Sequence, residues 1–211
     1  MPDTTTFLLF ALASLVLVVV PGPAVIYILT RSVSQGRSAG LVSAVGVNVG
    51  SAVHVFAAVL GISVVLAQSA AAFAAIKWLG VGYLAWIGIR TLRSDDMLFA
   101  EQTPEPMELR RILVQGVLVN ILNPKVAIFF LAFLPQFVDP TAPHPTLQTF
   151  VLGMTLVTIG LISDAVYALV GGKVGSLFRT NSRAAHTIRI GAGITYLTLA
   201  GIAATTGSRS A

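Results

Sequence analysis

Proline interrupts two long apolar stretches of this chain, and that pairing constrains its fold more than any other feature. Pro21-Gly22-Pro23 breaks the first stretch and Asn123-Pro124-Lys125 breaks the fourth. A proline inside a helix has no N–H for the carbonyl four residues back and crowds that carbonyl. The carbonyls of Leu17, Val19 and Asn120 therefore lose their helical donors. Lipid cannot replace them, so such breaks persist only where protein, water or a ligand fills the gap. Matching broken helices in two halves of a chain are a sequence sign of a transporter's binding site.

The apolar stretches define the class. Of 211 residues, 55% are hydrophobic and 10% charged, and the mean hydropathy is +0.88. About 20 apolar residues span a bilayer as a helix. Six runs have that length, at roughly Phe7–Leu29, Leu41–Leu66, Ala71–Arg90, Ile112–Leu134, Leu147–Gly171 and Thr187–Thr206. The expected fold is all-α: a polytopic membrane protein of six transmembrane helices. With no cysteine, disulfides, thiolate metal sites and thiol relays are excluded.

The net charge of +5 raises the question of nucleic acid until the charges are placed. Ten of the thirteen basic residues flank alternate runs: Arg31 and Arg37, then Arg90, Arg93, Arg110 and Arg111, then Lys173, Arg179, Arg183 and Arg189. The second and fourth connections have none. Basic residues accumulate on the cytoplasmic side, so odd-numbered connections are expected inside and both termini outside. The basic excess thus reflects orientation in a lipid bilayer, not a nucleic-acid surface. The first basic residue is Arg31, so the N-terminus lacks the charged region of a secretory signal, and the first run is expected to be a retained helix.

A pattern recurs between the third and sixth runs. Gly80, Tyr83, Leu84, Gly88 and Ile89 match Gly193, Tyr196, Leu197, Gly201 and Ile202 at one constant offset. With the two breaks, this argues for a 3 + 3 inverted repeat: residues 1–93, a cytoplasmic linker 94–111, and residues 112–211, forming one integrated membrane domain. Because three helices are an odd number, the second half is inverted, and an inverted repeat places the substrate near the midplane.

Four ionisable residues fall inside the runs: His54, Lys77, Lys125 and Asp164. A charge in the bilayer centre costs roughly 2.5–3.5 kcal/mol on insertion scales, so each needs a partner or an aqueous cavity. Asp164 is the sole acid among them and the natural proton carrier; the plainer reading is a structural ion pair. Lys125 follows the Pro124 break and could hold a substrate carboxylate or pair with Asp164. A linear rise of about 1.5 Å per residue separates those two by roughly 10 Å in depth. A lysine can also snorkel to the interface, a reading that suits Lys77 especially. His54 continues the Gly46-x-x-x-Gly50 face and could relay protons or simply pack. Such a glycine face allows close helix packing within the chain or between copies, which leaves a homo-oligomer open. Asn48, Asn120 and Asn123 add neutral polar groups, with Asn123 beside the break the best binding candidate. Tyr83 and Tyr196 match across the repeat, with aromatic packing as their default reading. The candidate binding set is Pro21, Gly22, Pro23, Asn123, Pro124 and Lys125, with Asp164 and His54 for coupling and Asn48, Lys77, Tyr83 and Tyr196 secondary. No cofactor and no metal is called for.

These residues resemble the bacterial amino-acid exporter family of the lysine exporter LysE and the RhtB group of homoserine/threonine exporters. The likeness rests on Pro21-Gly22-Pro23, Gly46-x-x-x-Gly50 and Lys77-x-x-Gly80-x-x-Tyr83-Leu84-x-x-x-Gly88. It continues through Asn123-Pro124-Lys125 into Phe129-Phe130-x-x-Phe133-Leu134-Pro135-Gln136-Phe137. The resemblance implies efflux of amino acids or their derivatives across the bacterial inner membrane, driven by the proton-motive force. A metal-ion exporter would need more carboxylate, imidazole or thiolate ligands than one Asp and one His. A membrane enzyme would need a nucleophile–base motif, and none is apparent.

Overall fold

Proline and glycine set the helix boundaries throughout. In a computed structural model, residues 2–68, 70–93, 106–180 and 182–205 are described. Asp3 starts the first helix, α1 (Thr4–Val19), by accepting hydrogen bonds from the backbone N and Oγ1 of Thr6. Those bonds hold its exposed carboxyl below the usual carboxylate range. Pro23 opens α2 (Pro23–Gln35), where a missing N–H costs nothing. Gly36 then turns the chain at φ 84° into α3 (Arg37–Gln68), a left-handed conformation that glycine alone adopts without penalty. The remaining elements are α4 (Ala70–Arg93), α5 (Leu109–Ile121), α6 (Pro124–Ile128), α7 (Pro145–Thr180) and α8 (Ser182–Thr205). Between α6 and α7 lie a π-helical turn, Phe129–Phe133, and a 3₁₀ turn, Leu134–Phe137.

The described structure is all-helical. Two helices are long and apolar enough to cross a membrane, over Arg37–Gly61 and Pro145–Gly171. Two bent pairs bring the number to four if each is one span: α1 with α2, bent by 51°, and α5 with the Pro124–Phe137 segment, bent by 47°. These bends fall at the two sequence breaks. α4 and α8 cover the third and sixth apolar runs.

Helices outrun the apolar stretches, which revises the loop assignments. Arg31 lies within α2 and is 6% exposed. Arg90 and Arg93 occupy the last turn of α4. Lys173 and Arg179 lie within α7, and Arg183 and Arg189 within α8. Pro135 and Phe137, beyond the end of the fourth apolar run, lie in a 3₁₀ turn that continues the broken fourth helix.

α3 packs on α5 through the Gly46–Gly50 face. A Cβ on Gly46 would collide with the backbone carbonyl of Leu113, and one on Gly50 would lie 2.8 Å from the Val117 carbonyl oxygen. The glycine face therefore serves packing within the chain. α7 packs on α3 and on both members of the first bent pair, and α4 packs on α8. An aromatic core of Phe10, Phe129, Phe130 and Phe133 fills one end of the bundle. A smaller cluster of Ala24, Ile28, Ala44, Val47 and Ala168 lies on the other side of the first break. Large apolar residues such as Leu8, Leu12, Leu60 and Leu122 project outward, as expected of a surface that faces lipid.

Candidate functional site

The two breaks share a construction. At the first, Val20 leaves α1 in an extended conformation, Gly22 caps α2, and Pro23 is exposed while Gly22 is buried. At the second, the Asn123 side chain caps α6 by accepting from the Lys125 backbone N at 3.1 Å, and Pro124 is exposed. Each proline stands at the start of a new helix, where its geometry fits. Each proline removes the usual donor of the carbonyl four residues back, although the Asn123 backbone N still reaches the Asn120 carbonyl at 3.1 Å.

Side chains from other helices bond to two of those carbonyls. Tyr167 of α7 donates its hydroxyl to the Val19 carbonyl, the one freed by Pro23, at 2.7 Å. His54 of α3 places Nε2 3.1 Å from the Asn120 carbonyl, the one freed by Pro124; in that contact the ring nitrogen is the donor. Its ring stacks on Phe130 with centroids 5.8 Å apart. Each break is thus tied to a helix of the opposite half of the chain. A third tie joins the breaks themselves: Lys125 Nζ donates to the Val20 carbonyl at 2.7 Å.

A cavity of about 50 Å³ lies between the breaks, room for a few water molecules. Its polar wall comprises Asn48, Ser51, Asn120, Asn123, Lys125 and Asp164; Gly22 reaches it from the first break. Leu17, Val18, Val25, Val47 and Leu156 form much of the apolar wall. All six polar residues are buried. Buried groups of this kind require hydrogen-bond partners, and partners are present. Asn48 Nδ2 donates to Asp164 Oδ2 at 2.8 Å and to the Ala44 carbonyl at 2.9 Å. Asn120 Nδ2 donates to the Val47 carbonyl and to Ser51 Oγ, both at 2.8 Å. Asn123 Nδ2 approaches Asn120 Oδ1 at 3.4 Å.

The structure places Lys125 and Asp164 on the wall of one cavity. The chain bends by 47° between α5 and the Pro124–Phe137 segment, so the fourth run is not the straight helix that a linear depth difference of roughly 10 Å assumes. Gly22, Asn123, Lys125, Asp164 and Asn48 line the cavity. His54 stands behind its wall, on the Asn120 carbonyl. Tyr83 lies away on α4, its ring 5.5 Å from that of Trp86, in keeping with aromatic packing. Lys77 and Tyr196 sit on α4 and α8, and their side chains lie outside the described residues, as does the linker over 94–105.

Sequence reasoning missed Tyr167 and Ser51. Tyr167 stands three residues after Asp164, hence on the same helix face, and that spacing was the available signal. Among the described residues no three His, Cys, Asp or Glu side chains gather into a metal-sized group.

Comparison with known proteins adds a family. The model of the LysE type translocator family matches residues 15–207. An uncharacterized membrane protein of Vibrio cholerae is 35% identical over 178 residues, 84% of this chain and 86% of that protein. A homoserine/homoserine lactone efflux protein of Salmonella typhimurium is 27% identical over 167 residues, 79% of this chain and 81% of its own length. An uncharacterized membrane protein of Pseudomonas aeruginosa is 28% identical over 200 residues, 92% of each chain. No solved structure matches the chain.

Proposed function

Because the chain belongs to the LysE type translocator family, whose members are membrane transporters and not enzymes, we propose that it exports small neutral amino acids or their derivatives, homoserine and its lactone among them, in exchange for protons. The observation that carries this reading is the buried polar cluster around Lys125 and Asp164, lying between two broken helices. A cavity holding one cation, one anion and several amides suits a zwitterion, which needs both charges met once water is removed. The N-terminus of α2, at Gly22, adds partial positive charge at the first break, which favours a carboxylate. Asp164 is the coupling residue: it binds a proton in one facing state and releases it in the other. The homoserine efflux relative supports the substrate class.

Alternating access follows from a 3 + 3 inverted repeat across the bacterial inner membrane, with the basic connections in the cytoplasm and both termini outside. Two features support the repeat. Packing is reciprocal: α3 of the first half lies on α5, and α7 of the second half lies on α1 and α2. The carbonyl ties are reciprocal too, His54 to Asn120 and Tyr167 to Val19. Rocking one half against the other would open the cavity to each side in turn.

The test is uptake into everted membrane vesicles containing the protein, screened over the standard amino acids, homoserine and homoserine lactone. Accumulation of one or more neutral amino compounds above vesicles without the protein is expected. Accumulation of none, with metal-ion uptake instead, would replace this reading with the metal-exporter one.

A further inference from the structure

We infer that the Lys125 side chain occupies, in the cavity between the breaks, the subsite that receives a primary ammonium group of the substrate, so that the protein carries its own competitor. The inference deepens the export reading above and rests on it. Three observations support it. First, Val20 lies between two helices, extended, after the end of α1 and before Pro23 opens α2. Its carbonyl therefore belongs to neither helical ladder and is open to an outside donor. Second, the donor that fills it is a primary ammonium, Lys125 Nζ, at 2.7 Å. An ammonium offers three N–H groups and a compact positive charge, the same chemistry as the amino group of an amino acid. Third, the carboxylate that would complete an ammonium site is at hand. Asp164 lines the same cavity as Lys125, oriented by Asn48 at 2.8 Å. The Val20 carbonyl, held by a lysine of the cavity wall, and the Asp164 carboxylate on the same wall offer the two acceptors of a site for R–NH₃⁺, and the lysine fills it from within.

Lys125 is placed to leave. It is the second residue of α6, a helix of five residues that passes at once into a π-helical turn. Its four-carbon stem lets Nζ retract from Val20 while the backbone stays capped by Asn123. A zwitterion entering the cavity sets its own ammonium on the Val20 carbonyl and faces Asp164. The displaced Nζ then meets the incoming carboxylate. The exchange trades one ammonium for another at Val20 and gives Lys125 a new anion, so no charge is left unpaired. An ammonium ligand without a carboxylate evicts the lysine and offers it nothing in return.

That difference sets the test. Homoserine carries both charges, homoserine lactone only the ammonium, and N-acetylhomoserine only the carboxylate. Binding is measured by calorimetry on purified wild type and Lys125→Met in lipid nanodiscs, at a pH that keeps the lactone amine protonated. Removing an internal competitor raises apparent affinity by the reciprocal of the competent fraction. The lactone should bind Lys125→Met several-fold more tightly than wild type, while homoserine binds it more weakly. Lactone binding that is unchanged or weakened in Lys125→Met would overturn the inference while leaving the export reading intact. On wild type alone, the lactone should displace homoserine, and N-acetylhomoserine should not. Displacement by N-acetylhomoserine would overturn the ammonium subsite even if Lys125→Met fails to fold. Absence of binding by all three ligands to both proteins would sink the export reading and this inference together.

Discussion

Replacing Gly46 by alanine should loosen the seam that holds the site together, and Gly61 on the same helix supplies the matched control. A Cβ on Gly46 would meet the Leu113 carbonyl oxygen inside contact distance, with the Leu113 carbonyl carbon at 3.1 Å and its Cα at 3.2 Å. All three atoms are backbone, so no rotamer change relieves the clash, and α3 must move off α5. Overpacking of this kind costs about 1–3 kcal/mol; a backbone collision belongs near the upper end. Alanine returns about 0.8–1.0 kcal/mol in helix propensity, leaving Gly46→Ala destabilised by about 2 kcal/mol. Gly61 has nothing within 4 Å of its Cβ position, so Gly61→Ala keeps only the propensity gain. The two variants should therefore differ by about 3 kcal/mol, which at about 2–4 °C per kcal/mol for a chain of this size separates their melting temperatures by about 6–12 °C. Thermal unfolding in detergent, followed by circular dichroism, reads the difference. The displacement would also strain the Asn120-to-Val47 bond at 2.8 Å and the His54 contact to Asn120, so transport by Gly46→Ala should fall as well. Equal melting temperatures for the two variants would refute the claim that the glycine face sets the α3–α5 distance.

Other outcomes follow from the carbonyl ties. Pro124→Ala restores a donor to the Asn120 carbonyl in competition with His54, so export should fall by about tenfold or more at equal protein level; full export would mean that the break has no part in transport. Tyr167→Phe leaves the Val19 carbonyl without its hydroxyl partner, at a cost of about 1–3 kcal/mol, and thermal unfolding should show a drop where a bystander tyrosine would show none. A reporter active only in the cytoplasm should be silent when fused after Ala211 and active when fused at Pro106; the reverse pattern would invert the assigned orientation.

Much of the site was legible because proline acts locally. Pro23 and Pro124 remove particular N–H groups, so the freed carbonyls could be named before any coordinates, and the bends fall where those prolines stand. Glycine spacing gave the α3 packing face for the same reason: periodicity along a helix is a local property. What satisfied the carbonyls was not legible, because Tyr167 lies 148 residues from Val19 and Lys125 lies 105 from Val20. For His54 the sequence offered a proton relay or a packed, hydrogen-bonded ring, and the carbonyl it meets, that of Asn120, lies 66 residues away. Asp164 and Lys125 were each singled out by charge in an apolar run, but their shared cavity depended on a bend angle that sequence does not specify.

Proton coupling through Asp164 is the central claim, and Asp164→Asn tests it most directly. Asparagine keeps the size of the side chain and loses the ability to titrate. In everted vesicles with an imposed pH gradient, wild type should concentrate homoserine and dissipate the gradient as it does so. Asp164→Asn should do neither, while still exchanging homoserine across the membrane at equilibrium, since exchange moves no net proton. An Asp164→Asn protein that concentrates homoserine and dissipates the gradient like wild type would contradict the account and reduce Asp164 to a structural partner of Asn48.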